Sequence, residues 1–384
     1  MITKIKNKIF KIIAPLMFYL FRVIKIKKNK IVIMNYYNKG YGDNSKYIVE
    51  ELLKSKEKYD IVWTTENIQS LPQEIRSVKP KTIKWIYEMA TAKIWINNTR
   101  FELYVRKRKG QFYIQTWHSA LRTKKIEMDA VEDLGDYYKR MMKKDSKYID
   151  LMISGCDFSY DIYKRAFLYN GSIEKIGTPR CDVFFDKEKS NHIKNEIQEK
   201  YGIEKNKKII LYAPTFRNDE SDTSVFMKYQ YVKEKLGEEY IVLVRMHPNS
   251  KIKINNENNN IINVTDYPDM QELLCASDIL ITDYSGCCFD MLIADKICVL
   301  FIKDLEEYTK KNRKTYFTME ELPFPKVKDE DELIKKIKED KFEDYYIEKE
   351  KFKKRIGLYE NGTAAKKIKK IIDDVMEGRY NEKI

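Results

Sequence analysis

The stretch SDILITDYSGCCFDMLIADK, residues 277–296, decides how this chain is read. Ile279 to Thr282 is a four-residue apolar run, the pattern of a strand buried on both faces of a parallel sheet. Asp283, Tyr284, Ser285 and Gly286 follow as a polar turn, and Phe289, Met291, Leu292 and Ile293 then supply the apolar face of a helix. A strand turning directly into a helix is the repeating unit of a doubly wound α/β fold. Asp283 or Ser285 is placed to cap that helix. The unsatisfied N–H groups and positive dipole end of a helix start attract anions, so Ser285, Gly286 and Cys287 are candidates to cradle a diphosphate. An ordinary capped helix with no ligand accounts for the same residues.

The same alternation extends in both directions. Short apolar runs predict strands over 30–35, 60–64, 94–97, 112–116, 151–154 and 173–176. A second series is expected over 208–213, 240–245, 261–264, 279–282 and 299–302. Helical periods lie between them, for example over 44–54 and 331–338. A polar stretch at 186–206 (DKEKSNHIKNEIQEKYGIEKNKK) separates the two series and marks a domain boundary. With 384 residues, and about 100–200 residues per domain, two domains are expected. Two α/β halves of similar size would face each other across a cleft. Ligands in such folds bind beyond the carboxyl ends of the strands.

That rule directs attention to the residues just past each strand. Of three histidines, His192 lies in the polar linker, His118 comes after the strand at 112–116, and His247 comes after the strand at 240–245. Histidine suits proton transfer near neutral pH, although either one alone is equally a structural residue hydrogen-bonded at a strand end. Groups suited to phosphate lie close by in sequence. Arg122, Lys124 and Lys125 come after His118, and Arg245 precedes His247. Thr215 and Arg217 end a strand in YAPTFRND, and Arg180 does so in IGTPRCD. Arginine and lysine pair with phosphoryl oxygens through charge-assisted hydrogen bonds; each taken singly is also an ordinary solvated charge.

Charge is unevenly distributed. Lys and Arg number 73 against 59 acids, for a net of +14. Residues 1–42 hold ten of those bases and no acid, which leaves the remainder at 63 against 59. Within that basic end, IIAPLMFYLF (residues 12–21) is uncharged. Ten residues fall short of the roughly 20 needed to span a bilayer as a helix, and no small-residue cleavage site is present after it. Lysines flanking a short apolar block fit a helix lying in an anionic membrane interface; a helix packed on the body with solvated lysines is the alternative. A nucleic-acid-binding module is disfavoured, because the excess is confined to one end and no nucleic-acid motif is present. The content of 43% hydrophobic and 34% charged residues excludes wholesale disorder. The six cysteines show no C-x-x-C pair, so reduced buried thiols are expected. The Asn-rich run at 255–260 reads as a surface loop.

Taken in order, TWHS (116–119), IGTPRCD (176–182), LYAPTFRND (211–219), RMHP (245–248), SDILITDYSG (277–286), DLEEY (304–308) and ENGTAAKKI (360–368) resemble the CDP-glycerol glycerophosphotransferase family of teichoic-acid polymerases and primases. The resemblance covers roughly residues 110–370. It implies a GT-B-like fold of two Rossmann-like halves, with residues 1–28 a membrane-association segment, 29–188 the acceptor domain and 189–384 the CDP-polyol donor domain. It also implies transfer of a polyol phosphate to an acceptor hydroxyl with release of CMP, in teichoic-acid or capsule-type synthesis. The location implied is the cytoplasmic face of the membrane, bound peripherally, with a lipid-linked or glycan acceptor.

By position, His118 matches the first family histidine, expected to be the general base. His247 matches the second and is assigned to the transferring or leaving phosphate. Thr282, Asp283, Ser285 and Gly286 match the donor diphosphate loop, and Arg180 and Arg217 are phosphate or orientation groups. Ser119, Ala120 and Leu121 replace the family's Gly and Thr-Pro, Gly286 its second serine, and Cys181 its asparagine. These departures leave the polyol and acceptor open. No carboxylate cluster suggests a metal, so neither a metal nor a cofactor is expected. The alternative enzyme is a GT-B glycosyltransferase using a nucleotide sugar.

Overall fold

The computed structural model describes residues 2–380 apart from 56–58, 67–70, 218–222, 248–249, 251, 253, 255–259 and 312–313. Most of the expected loop at 255–260, together with Pro248, Asn218 and Asp219 of the motifs, lies outside the described residues. The chain forms two compact units. The first comprises 1–119, 126–182 and 359–384; the second comprises 120–125 and 183–358.

The first unit is built on a seven-stranded parallel sheet. Its strands are β1 (Lys27–Met34), β2 (Asp60–Thr64), β3 (Arg76–Val78), β4 (Ala92–Asn97), β5 (Phe112–Gln115), β6 (Leu151–Ser154) and β7 (Ser172–Lys175). They lie in the order β3-β2-β1-β4-β5-β6-β7. The second unit has six parallel strands: β8 (Lys208–Tyr212), β9 (Tyr240–Val244), β10 (Ile261–Asn263), β11 (Ile279–Thr282), β12 (Ile297–Phe301) and β13 (Lys326–Val327). Their order is β10-β9-β8-β11-β12-β13. Each sheet winds outward in two directions from one central pair, β1/β4 and β8/β11. That reversal leaves a crevice beyond the strand ends. Continuous apolar runs such as ILIT and YIVLV are fully buried because helices cover both sheet faces.

The two strands not foreseen, β3 and β13, have three and two residues and pair with one neighbour each. They are edge strands, too short to leave an apolar signature. The contiguous division at 188/189 is also corrected. The last helix, Ala364–Glu377, returns to the first unit and buries Ile368, Ile372 and Val375 against Ile31, Ile48, Leu52 and Trp63. Its sequence alone shows only an amphipathic helix, and nothing local says which sheet it covers. Two carboxylates hold its start. Asp182 accepts from the Ala364 and Ala365 amides at 3.0 and 2.7 Å, and Glu360 accepts from the Thr178 amide at 2.9 Å. Glu360 occupies space left by two glycines. A Cβ at Gly155 would overlap its Oε1, and one at Gly177, whose φ is +97°, would lie 2.9 Å from its Oε2.

The N-terminal helix, Ile2–Leu20, packs through Phe10, Ala14 and Phe18, with Phe18 edge-on to Trp85 at 6.0 Å and Phe10 edge-on to Tyr104 at 5.3 Å. Its other side exposes Ile9, Ile12, Ile13, Leu16 and Leu20. Among the described residues no helix is long and apolar enough to cross a membrane. One base of the N-terminal excess does not belong to a surface: Lys30 is wholly buried in β1, bonded to Glu88 Oε2 at 2.5 Å and Thr91 Oγ1 at 2.8 Å.

Ile372→Ala removes a side chain with no solvent exposure. It is expected to destabilise the first unit by about 2–5 kcal/mol, measured by urea unfolding followed through Trp63 and Trp85. An equal substitution at exposed Ile347 should leave that transition in place.

Candidate active site

In the first unit, β1 and β4 end at the central crevice and β5 ends beside them. Trp117, just past β5, takes a left-handed backbone (φ 52°). A non-glycine residue held this way carries about 1–3 kcal/mol of strain. Gln115 Oε1 accepts from its amide at 2.8 Å, and Asn44 Nδ2 donates to its carbonyl at 2.9 Å. The turn delivers His118, whose Nδ1 lies 2.9 Å from the Asn98 carbonyl. A carbonyl only accepts, so Nδ1 carries the proton and the basic lone pair is on Nε2. The imidazole stacks obliquely on Trp117 at 4.4 Å and meets the edge of Tyr36 at 5.4 Å.

Arg180 supports the same turn. Its Nη1 donates to Asp43 Oδ2 at 2.8 Å and to the His118 carbonyl at 2.7 Å, and its amide donates to Asn44 Oδ1 at 3.1 Å. Of the two roles expected for Arg180, these contacts fit orientation. Asp43 Oδ1 also accepts from Asn98 Nδ2 at 3.1 Å, and Asn98 Nδ2 reaches Asn35 Oδ1 at 2.9 Å. Asn35, Tyr36, Asp43 and Asn98 were absent from the sequence-based candidates. Their signal was position after β1 and β4, which a search confined to histidines and cations passes over.

In the second unit, four loops meet at the carboxyl ends of β9, β8, β11 and β12. Asp283 joins the β11 loop to the β8 loop: its Oδ1 accepts from the Thr215 amide at 2.8 Å and its Oδ2 from Arg217 Nη2 at 2.9 Å. Arg217 continues to Asp304, donating from Nε at 2.9 Å and from Nη2 at 3.2 Å, while its Nη1 bonds the Thr215 carbonyl at 2.7 Å. Two flanking carboxylates outweigh burial and raise the Arg217 pKa further. Tyr284 donates to Asp304 at 2.9 Å and stacks on Tyr308 at 3.7 Å, with Arg217 over both rings. Arg217 and Asp283 are thus struts that hold the loops in register, and the DLEEY motif gains its meaning from Asp304 and Tyr308. Thr282 is buried and donates to the Ala213 carbonyl at 2.6 Å.

Among the described residues of these loops, three places stand out as candidates for a ligand. Thr215 Oγ1 is buried and has no hydrogen-bond partner among the described residues. Arg245 places Nη1 3.4 Å from Met270 Sδ, a weak acceptor, and burial lowers its pKa although the charge of Asp269 opposes this. The third is the Ser285–Gly286 turn that leads into the helix Cys287–Ile293; the Cys287, Cys288 and Phe289 amides themselves donate to Ser285 Oγ, the Ser285 carbonyl and the Gly286 carbonyl at 3.5, 3.4 and 3.1 Å. A Cβ at Gly286 would lie 3.6 Å from the Leu121 carbonyl, ordinary contact, so serine fits there. His247 is exposed and lies against Phe216 at 5.1 Å. Residues 120–125, immediately after His118 and Ser119, belong to this second unit: Thr123 Oγ1 donates to the Tyr284 carbonyl at 2.9 Å, and Lys124 lies over Tyr308 at 5.1 Å. Arg122 and Lys125 lie on the same segment.

A strut and a phosphate ligand separate in a double-mutant cycle. Arg217→Ala and Asp304→Ala should each lower thermal stability. The double variant should be non-additive by about 1–3 kcal/mol, as contacting groups are; additivity would show Arg217 acting elsewhere.

The profile of the CDP-Glycerol:Poly(glycerophosphate) glycerophosphotransferase family matches residues 16–374. The teichoic acid poly(glycerol phosphate) polymerase of Bacillus spizizenii is 31% identical over 360 residues, covering 87% of this chain and 90% of that protein. The polymerase of the same name from Bacillus subtilis is 30% identical over 362 residues, covering 90% of this chain; the chain spans about half of that relative, 48%. The solved structure of the wall teichoic acid polymerase TagF superposes with a TM-score of 0.86 at 29% identity, over 96% of this chain and 95% of that one. With the profile spanning nearly its whole length, the chain belongs to the CDP-glycerol:poly(glycerophosphate) glycerophosphotransferase family.

Proposed function

We propose that the protein transfers a polyol phosphate, glycerol phosphate first among them, from a CDP-polyol to an acceptor hydroxyl on a lipid-linked or surface glycan in teichoic-acid or capsule-type synthesis. The observation that carries this reading is the His118 tautomer. A proton fixed on Nδ1 by the Asn98 carbonyl leaves Nε2 as a base for an alcohol. In this reaction the acceptor hydroxyl gives its proton to Nε2 and its oxygen attacks the polyol-bearing phosphorus. The bond from that phosphorus to the bridging oxygen breaks, and CMP leaves with the bridging oxygen. His247, protonated, balances charge on the transferring or leaving phosphate. Arg245, Thr215 and the Ser285–Gly286 turn supply donors for the diphosphate, while Arg180, Arg217, Thr282 and Asp283 hold those donors and the base in place. On this reading the first unit handles the acceptor and the second the donor.

CMP release from a panel of CDP-polyols, with UDP-sugars alongside, tests the donor class. Turnover of a UDP-sugar without any CDP-polyol would instead support a nucleotide-sugar glycosyltransferase. His118→Ala and His247→Ala should each lower kcat by ~10²–10⁴-fold, and near-normal kcat in either removes that residue from the chemistry.

The N-terminal helix is proposed to lie in the cytoplasmic leaflet of the membrane. Ile12 is 77% and Val23 88% exposed, and with Leu16 they form an apolar surface flanked by lysines. Ile12→Glu with Leu16→Glu alters only that exposed surface. The pair should abolish flotation with anionic liposomes while leaving CDP-polyol turnover in solution unchanged; persistent flotation would refute the anchor.

A further inference from the structure

The loop after β4 holds an arginine that solvent does not reach. Arg100 is paired with Glu127 and Asp145, and the most exposed of the three side chains, Glu127, is at 1%. Arg100 Nε and Nη2 both donate to Glu127 Oε2, at 3.1 and 2.7 Å. Its Nη1 donates to Asp145 Oδ2 and to Ser146 Oγ, each at 3.1 Å. The other carboxylate oxygens are taken too. Glu127 Oε1 accepts from the Tyr138 hydroxyl at 2.5 Å, and Asp145 Oδ1 from the Phe101 amide at 3.2 Å. One cation thus joins three parts of the first unit: the loop after β4, the segment Glu127–Asp133 and the helix Asp136–Ser146. Stability alone does not account for such a cluster. Desolvating three ions is costly, and apolar residues of similar volume commonly serve as well or better. Burial pushes the Asp145 carboxyl up to about 6, although Arg100 opposes this.

The surroundings of Arg100 supply another role. Asn98, whose carbonyl meets His118 Nδ1 at 2.9 Å, stands two residues before it. Between them, the Thr99 carbonyl accepts from Gln115 Nε2 at 2.8 Å, and the same Gln115 side chain accepts from the Trp117 amide at 2.8 Å. The guanidinium lies over the rings of Phe167 at 4.4 Å and Trp117 at 5.9 Å, and Phe167 stands edge-on to Trp117 at 4.7 Å. Two residues that meet Arg100, Trp117 and Glu127, have left-handed backbone, each with a φ of 52°. A non-glycine residue persists there only where its surroundings over-determine it.

We propose that Arg100 is a positioning residue for the transfer reaction: it clamps the loop after β4 so that the Asn98 carbonyl keeps the His118 proton on Nδ1, and it backs the Trp117 ring against which the imidazole rests. The proposal rests on the reading of His118 as the base for the acceptor hydroxyl. The fork matters as well as the charge. A planar guanidinium fixes direction to two carboxylates at once, which an ammonium does not.

The test reads the His118 tautomer by 15N NMR in the full chain labelled with 15N-histidine, at mildly alkaline pH where imidazole is neutral. The chain has three histidines, and the His118 signals are those lost in His118→Ala. Wild type should show the Nδ1–H form alone. A triple variant, Arg100→Leu with Glu127→Gln and Asp145→Asn, leaves no member of the cluster charged and unpaired. It should show both tautomers in exchange, with kcat lower by about 10²-fold and the KM for CDP-glycerol unchanged. Arg100→Lys keeps the charge without the fork and should show the same mixture. Lys30→Met with Glu88→Gln removes another buried pair of the first unit and should leave both tautomer and kcat as in wild type. The proposal is overturned by an Nε2–H form in wild type, by an unchanged tautomer or kcat in the triple variant, or by an equal loss of kcat in the Lys30 and Glu88 variant. Should the triple variant fail to fold, Arg100→Lys decides by the same spectrum, and a lone Nδ1–H form there overturns the proposal. Near-normal kcat in His118→Ala would sink the reading of the base, while the spectra would still decide whether Arg100 sets the tautomer.

Discussion

The carboxylate of Glu360 sits where Gly155 and Gly177 leave room for it, and much of the first unit depends on that fit. It fixes the Thr178 amide, two residues before Arg180. Arg180 then holds Asp43 and the carbonyl of His118. Asp182, two residues further on, accepts from the first amides of the closing helix, whose apolar face completes the core beneath β1 and β2. A segment from the far end of the sequence thus bears on the turn that carries His118. Each contact alone contributes on the order of 1 kcal/mol. Their effect lies in sequence: every group's position is the precondition for the next.

The second unit solves a similar problem with charge. Arg217 lies between Asp283 and Asp304, and both carboxylates sit in loops that close different strands. A half-buried arginine flanked on two sides avoids the cost of an unpaired ion, and its planar fork sets direction as well as distance. Tyr284 and Tyr308 cover the arrangement. Thr215 Oγ1 lies beside this strut without a hydrogen-bond partner among the described residues, and Arg245 Nη1 meets only the weak acceptor Met270 Sδ. In this chain the most conspicuous cation of a phosphate-type motif is taken up by two carboxylates of neighbouring loops.

Charge on the whole molecule divides in the same way. The basic N-terminal region contains lysines that flank exposed apolar residues and also Lys30, which is paired with Glu88 inside the sheet. Net charge reports a surface property only for residues that reach the surface. Burial of Lys30 takes it out of the membrane argument and leaves the rest of that argument in place.

The strand series and the α/β class were legible because a strand buried on both faces must be a continuous apolar run, and such runs are local. Strand ends and the residues just past them were legible for the same reason, which is why the positions of His118, Thr215, Arg245 and the turn at 282–286 beyond strand ends could be read from sequence. Edge strands β3 and β13 were not, being too short to carry a pattern. The choice between the phosphate and orientation roles expected for Arg180 and Arg217 was not either, because sequence shows a cation but not the carboxylate beside it. The return of residues 359–384 to the first unit, the His118 tautomer, and the burial of Arg100 between Glu127 and Asp145 were decided by tertiary structure alone. Each depends on a partner dozens to hundreds of residues away, and a hydrogen bond has direction and reach only after the backbone has folded to bring that partner near.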